Sequence, residues 1–320
     1  MNISFIKKTL KPIASQIYGS LVANHPMLEK SLTIFCFHDV SDNPSEFSKM
    51  YELSVTKENF EFQINFISEH FNTIGSDQLI EGNIPEKAAM ITFDDGFKSY
   101  FTNAIPLLEK YNLPSINFLN FATIKGEVSW AGLIMYLCHS FEDFYKHVSS
   151  NSRKNIDPKS YHLHCSREIV NSYLQMKNKT FTNQVNNFVG NFAELEDLQL
   201  VSNNNKVHFG NHLYNHDVSL LMTDQELKNS YNMNKDALKS YKNYRNFFAF
   251  PFGQPNTSFS NRQTDLLFNE GADYIFTGCS KVNIDTSNNY LHRIALTNFN
   301  NTEAKIWFSI LRNSLAENSK

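Results

Sequence analysis

The chain has 320 residues, of which 41% are hydrophobic and 19% charged, a balance that suits a globular protein with one large α/β domain or two smaller ones. A formal net charge of −3 gives no electrostatic footprint for nucleic acid, so none is expected as a partner. Four unclustered cysteines, Cys36, Cys138, Cys165 and Cys279, form no C-x-x-C pair; this excludes a zinc ribbon or a thioredoxin-like motif and suits a reducing compartment.

Near the start, Lys7, Lys8 and Lys11 are not followed by an apolar run of signal-peptide quality. No stretch approaches the ~18–20 apolar residues that span a bilayer. Ile3, Ile6, Leu10, Ile13, Ile17 and Leu21 recur at helical spacing, interrupted by Pro12. Residues 1–27 therefore read as a helical segment that either packs on the main domain or contacts a membrane surface through residues 3–21. The expected location is cytoplasmic, with or without peripheral contact at the inner membrane face.

The spacing next predicts a buried strand over 32–37, ending at His38-Asp39. A helix capped by Thr56 follows over 56–71, with Phe60, Ile64 and Ile67 on one face. A second buried strand covers 88–93 and ends on Asp94-Asp95-Gly96. A helix over 102–111 is stopped by Pro114, and a third strand covers 116–121. This β-α-β-α-β alternation argues for a parallel sheet or barrel, in which functional groups gather at the C-terminal ends of strands. From 128 to 205 the character becomes polar and Asn-rich, with helical periodicity over 131–148 and 166–192; this reads as a mostly helical insertion. Strands resume near 206–209, 247–250 and 274–276, and a helix over 303–315 closes the domain. The 28 phenylalanines read first as core.

Three short motifs fall at predicted strand ends. In Thr92-Phe93-Asp94-Asp95-Gly96, adjacent carboxylates can divide their labour, one binding a divalent metal and the other staying ionised beside it as a base. Taken alone, the triplet reads first as an ordinary Asp-Gly turn. In Gly210-Asn211-His212-Leu213-Tyr214-Asn215-His216, two histidines four residues apart read as sharing one side of a helical turn, where they can hold one metal. An isolated pair would read instead as two surface histidines at a polar helix start. Phe248-Ala249-Phe250-Pro251-Phe252-Gly253 marks a strand that breaks at proline into a loop, whose N–H groups could serve an oxyanion.

Together and in this order, the motifs resemble those of the NodB-type polysaccharide deacetylases, carbohydrate esterase family four. The T-F-D-D-G motif is intact, Leu213 replaces a hydroxyl residue within the second motif, and Phe250-Pro251-Phe252-Gly253 is similar to the third. The similarity covers about 32–122 and 206–296. The family's His-bearing motif is missing downstream of Pro251, whereas Phe35-Cys36-Phe37-His38-Asp39 stands at the first strand, as in the permuted branch with biofilm poly-N-acetylglucosamine deacetylases. The resemblance implies an α/β fold, a distorted (β/α) barrel with a helical insertion, spanning 28–320. It implies a zinc-type ion, with cobalt, nickel or iron as substitutes, on Asp95, His212 and His216. Asp94 would be the general base, His38 the acid for the leaving amine, and the Phe252 N–H an oxyanion donor. The arginine that usually precedes the third motif's proline by two residues is Ala249 here; Arg293 is its expected substitute and Arg245 the second choice. Trp130, Pro251 and Asp39 are expected at the substrate. The implied reaction removes N-acetyl groups from an amino-sugar glycan or glycan precursor; a deformylase or amidase on a lipid-linked sugar, and a non-catalytic carbohydrate binder on the same scaffold, are the alternatives. The sequence says nothing of oligomeric state.

Overall fold

The computed structural model describes residues 26–152 and 156–312. The amphipathic stripe at 3–21 lies outside them. Among the described residues no helix is long and apolar enough to cross a membrane.

Eight parallel strands form a nearly closed barrel: β1 (Leu32–Phe37), β2 (Ala88–Asp94), β3 (Ser115–Leu119), β4 (Val207–Asn211), β5 (Tyr244–Ala249), β6 (Tyr274–Thr277), β7 (Tyr290–His292) and β8 (Ile294–Ala295). Their order is β7-β6-β5-β4-β3-β2-β1-β8, and a short strand, Asn72–Thr73, also pairs with β2. The two edge strands, β7 and β8, are separated in the chain by Arg293 alone. That residue therefore stands where the barrel closes; its N–H donates to Thr277 on one side, while Leu296 donates to Cys36 on the other.

The period of two along each strand divides the core. Leu32 and Ile34, Ala88 and Met90, Ile116 and Phe118, and Phe247 and Ala249 pack together. The alternate residues Phe35, Phe37, Ala89, Ile91 and Phe93 pack with Phe60, Ile64 and Ile67 of helix α1 (Lys57–His70). By the same alternation Cys36 and Asp94 follow the first set, which leads their side chains to the C-terminal mouth. Gly210 of β4 fits because a Cβ there would lie 2.5 Å from the Phe118 ring.

Several boundaries differ from expectation. Thr56 caps α1 as predicted, accepting from the Asn59 N–H at 3.3 Å. The helix expected over 102–111 begins as a π-helical turn, Tyr100–Ala104, before α2 (Ile105–Lys110). The strand expected to reach 121 ends at Leu119, because Phe121 opens the short helix Phe121–Ile124.

Between β3 and β4 lie α3 (Trp130–Ser140), α4 (Glu142–Asn151), α5 (Arg167–Lys177), α6 (Thr182–Val189) and α7 (Leu195–Leu200). They build a core of their own from residues such as Leu137, Phe144, Val170, Tyr173 and Val185, joined by Phe47 and Phe97 from the barrel loops. The rest of the barrel wall includes α8 (Asp224–Leu238), α9 (Asn261–Asn269) and α10 (Glu303–Leu311). All four cysteines are free thiols.

Candidate active site

The mouth of the barrel holds two adjoining groups of side chains. After β2 the backbone turns sharply, with Asp95 and Gly96 both left-handed (φ 71° and 73°), a conformation that Asp tolerates and Gly favours. This turn sends the two carboxylates to different partners.

Asp95 faces two imidazoles. Its Oδ1 lies 3.1 Å from His216 Nε2 and 3.5 Å from His212 Nε2. The histidines are not on a helical turn, as their spacing suggested. Leu213 and His216 are themselves left-handed (φ 60° and 59°), so residues 212–216 form an irregular loop after β4. Buried asparagines hold it. Asn120 donates to the His212 and Leu213 carbonyls; Asn211 accepts from the Leu213 N–H; Asn234 donates to Asn211 and to the Leu119 carbonyl. The sequence reading did not single out Asn120 or Asn234; an Asn directly after β3 was the available signal for the first, whereas Asn234 looks like any polar residue of α8.

His212 Nδ1 lies 2.7 Å from the Ala249 carbonyl, an acceptor only, so Nδ1 donates there and Nε2 is turned toward Asp95. The Asp95 Oδ1 atom is buried and has no hydrogen-bond donor. Burial works against charge on this carboxyl, but His216 and His212 outweigh it and hold its pKa well below the ordinary range. Burial likewise opposes charge on His216, and Asp95 outweighs it and raises that pKa. A carboxylate and two imidazoles with ligand atoms within 4.8 Å of one another are a donor set that fits a divalent cation of the zinc type.

Asp94 belongs to the second group. Arg293 grips it bidentately, Nη1 to Oδ1 at 2.6 Å and Nη2 to Oδ2 at 2.8 Å, with both residues buried. Burial pushes the Asp94 carboxyl up, but the Arg293 guanidinium, helped by His212 and His38, holds it below its ordinary value. His38 Nε2 stands 3.9 Å from Asp94 Oδ2. Cys36 Sγ lies 3.7 Å from the same oxygen; burial pushes its thiol far above its usual pKa, so it donates a proton to the carboxylate. The sequence marks Cys36 as an unclustered cysteine of the first strand and gives it no place at the site. Arg245, the second choice for the arginine, is at the opposite end of the barrel with Asp77.

These groups open into one cavity of about 330 Å³ that Trp130 and Phe252 also line. Phe252 is left-handed (φ 62°), and its ring packs edge-on against His216 at 4.8 Å. Two expected substrate residues are not in this lining. Asp39 lies one residue beyond His38 and is buried elsewhere, accepting from Ser99 Oγ at 2.6 Å. Pro251 is buried in the turn that ends β5, where its missing N–H stops the strand; Phe250, Phe252 and Gly253 reach the cavity instead.

Fold and site together define a distorted (β/α) barrel with a carboxylate–histidine centre at its C-terminal mouth. The polysaccharide deacetylase family model matches residues 81–270, and the chain belongs to that family. The match runs across the helical insertion, which the motif similarity had left out. Over 110 residues the chain is 27% identical to the poly-beta-1,6-N-acetyl-D-glucosamine N-deacetylase of Escherichia coli K12, a stretch that covers 32% of this chain and 16% of that protein. The enzyme of the same name from Staphylococcus aureus NCTC 8325 is 30% identical over 98 residues, or 29% of this chain and 33% of the relative. The aligned stretch thus spans a third or less of these relatives' length. Among solved structures, IcaB from Ammonifex degensii superposes with a TM-score of 0.56 at 14% identity, covering 87% of this chain and 96% of that one. The de-N-acetylase from Aggregatibacter actinomycetemcomitans gives 0.57 at 15%, covering 87% and 99%. At these identities the likeness is one of fold.

Proposed function

We propose that the protein is a metal-dependent hydrolase that removes N-acetyl groups from amino-sugar glycans or their precursors. One observation carries the reading: a buried carboxylate, Asp94, is oriented by Arg293 directly beside the Asp95–His212–His216 donor set, within a single cavity. The poly-N-acetylglucosamine N-deacetylase names of the partial relatives point to the same substrate class.

In this reading Asp95, His212 and His216 hold the cation, with zinc as the best fit and cobalt, nickel or iron as substitutes. The bound cation supplies Lewis-acid polarisation at the amide carbonyl. Asp94, kept ionised by Arg293, takes a proton from the attacking water at one of its carboxylate oxygens. His38 gives a proton to the amide nitrogen as the carbon–nitrogen bond breaks, so that the products are acetate and the free amine. The Phe252 N–H donates to the oxyanion. Arg293 is a positioning residue that fixes the base through two hydrogen bonds.

Acetate release from N-acetylated chito-oligomers and poly-N-acetylglucosamine, measured with wild type, with chelator-treated protein and with Asp94→Asn, tests this. Release is expected from the metal-loaded wild type alone. Equal release from all three would refute the mechanism. No release, together with no bound divalent metal, would favour a carbohydrate-binding role.

A further inference from the structure

The cavity has a polar floor and apolar walls. Its floor is the catalytic group described above. Its walls are Tyr51 and Leu53 from the loop before α1, Phe252 from the turn after β5, and Trp130, Met135 and Phe192 from the insertion and its connection to α7. These walls belong to the insertion's own apolar cluster or pack against it. At about 330 Å³ the space is near the lower end of small-ligand sites, roughly 300–1,000 Å³.

Of the polar residues in the walls, Thr123, Asn120, Ser129 and Gln254 each make a hydrogen bond within the protein, which leaves Asn215 and His162 as the polar side chains that face the space most freely. Thr123 donates to the Asn120 carbonyl at 2.9 Å, and Asn120 donates to the 212–213 backbone. Ser129 accepts from the Gly132 N–H at 3.0 Å, and Gln254 donates to the Gly278 carbonyl at 2.8 Å. A sugar hydroxyl pressed against these walls would lose its water partners with little in exchange, at a cost. An alkyl or aryl group would gain from the same contact.

We infer that the site takes a small N-acyl amino sugar whose apolar substituent fills this chamber, rather than an internal unit of a long polar polymer. The inference rests on the hydrolase reading above and specifies its substrate. The apolar group can enter as a longer acyl chain or as an aglycone on the anomeric carbon, and two sets of substrates separate these sources.

The aglycone set pairs octyl with methyl N-acetylglucosaminide. The acyl set pairs N-hexanoyl with N-acetylglucosamine. The hexamer of N-acetylglucosamine stands for a polymer, and free amine formed by the zinc-loaded full chain gives kcat/KM. At least a tenfold preference for the apolar member is expected in one set, with the hexamer, per acetyl group, slower than that member. Phe192→Ser and Leu53→Ser should each lower the preference several-fold. An apolar member no faster than its counterpart in both sets, or a hexamer faster than either, would overturn the inference while leaving the hydrolase intact. If no substrate turns over, the hydrolase reading fails by itself. Calorimetric titration of Asp94→Asn with each member of both pairs then still decides the chamber: tighter binding of an apolar member supports it, and equal binding within both pairs overturns it.

Discussion

The two ends of the barrel carry the same three residue types in nearly the same arrangement. At the C-terminal mouth Arg293 grips Asp94, and His38 stands 3.9 Å from it. At the N-terminal end Arg245 Nε bonds Asp77 Oδ1 at 2.6 Å, and His208 Nε2 stands 3.8 Å from Asp77 Oδ2. What differs is solvent and neighbours. The Arg293 and Asp94 side chains are 2% and 6% exposed, whereas those of Arg245 and Asp77 are 21% and 53% exposed. The first triad adjoins a set of metal-capable ligands and a cavity; among the described residues no such ligand set adjoins the second. The second group, with its carboxylate half exposed though His208 is buried, is a partly screened latch; the first, with its carboxylate and guanidinium away from solvent, is the one proposed to act as a fixed base with a proton donor beside it.

The sharpest way to break this comparison is to neutralise each carboxylate. Asp94→Asn should lower kcat by about 10³-fold or more with the metal content unchanged, since general-base catalysis contributes ~10²–10⁴-fold. Asp77→Asn should leave kcat within about twofold. Steady-state kinetics and metal analysis on both variants check this, and similar losses in the two would end the distinction.

The arginines follow. Arg293→Gln leaves Asp94 buried without its cation and should cost about 3–5 kcal/mol of unfolding free energy as well as activity. Arg245→Gln, at a more exposed pair, should cost less than about 1 kcal/mol. Urea titrations of the two proteins read the difference, and equal midpoints would contradict it.

The histidines sharpen the comparison through pH. His38→Ala should slow turnover about 10²-fold without loss of metal; loss of metal would make His38 a ligand. His208 acts on stability instead. Burial, reinforced by Arg245, pushes its pKa down to about 4. A histidine whose folded pKa is depressed stays neutral in the fold but protonates readily in the unfolded chain. Its contribution is therefore present above about pH 6.5 and is lost as pH falls toward 4, on the order of 2 kcal/mol. His208→Gln should flatten that part of the stability profile; an unchanged slope would mean that other groups cause it.

The barrel was largely legible in the sequence because its strands are short apolar runs that end on the motifs, and runs such as 32–37 have few alternatives in a β-α alternation. Asp94, Asp95, His212 and His216 were legible for the same reason. The loop conformation of 212–216 was not, because H-x3-H spacing carries no sign of left-handed Leu213 and His216, and the asparagines that stabilise them lie on other elements. With Ala249 at the usual arginine position, Arg293 was the expected substitute, and its guanidinium does reach Asp94; what no local pattern encodes is that it does so from the point where β7 and β8 close the barrel. Asp39 misled because strand alternation had already given the cavity to His38. The helices of the insertion were visible, but not the chamber their apolar faces help to build.

A third arginine–aspartate pair is intermediate between the two triads. Arg167 at the start of α5 donates from Nη2 to both oxygens of Asp217, at 2.7 and 3.0 Å, and its guanidinium carbon lies 4.5 Å from the centre of the Trp130 ring. Asp217 is buried and directly follows His216, while the Arg167 side chain is 46% exposed. The pair thus ties the insertion to the loop that carries two of the proposed ligands, from the rim of the cavity. Arg167→Ala should cost less than either active-site change: about tenfold in kcat/KM, equivalent to about 1.4 kcal/mol, with zinc still bound at one equivalent. Arg167→Lys should recover only part of that loss, because lysine restores charge but not the planar stacking on Trp130. Kinetics at saturating zinc separate the outcomes. If Arg167→Ala matches wild type, the insertion shapes the chamber without steadying the loop. If it loses zinc, the pair supports ligation itself, and the distinction between rim and centre becomes one of degree.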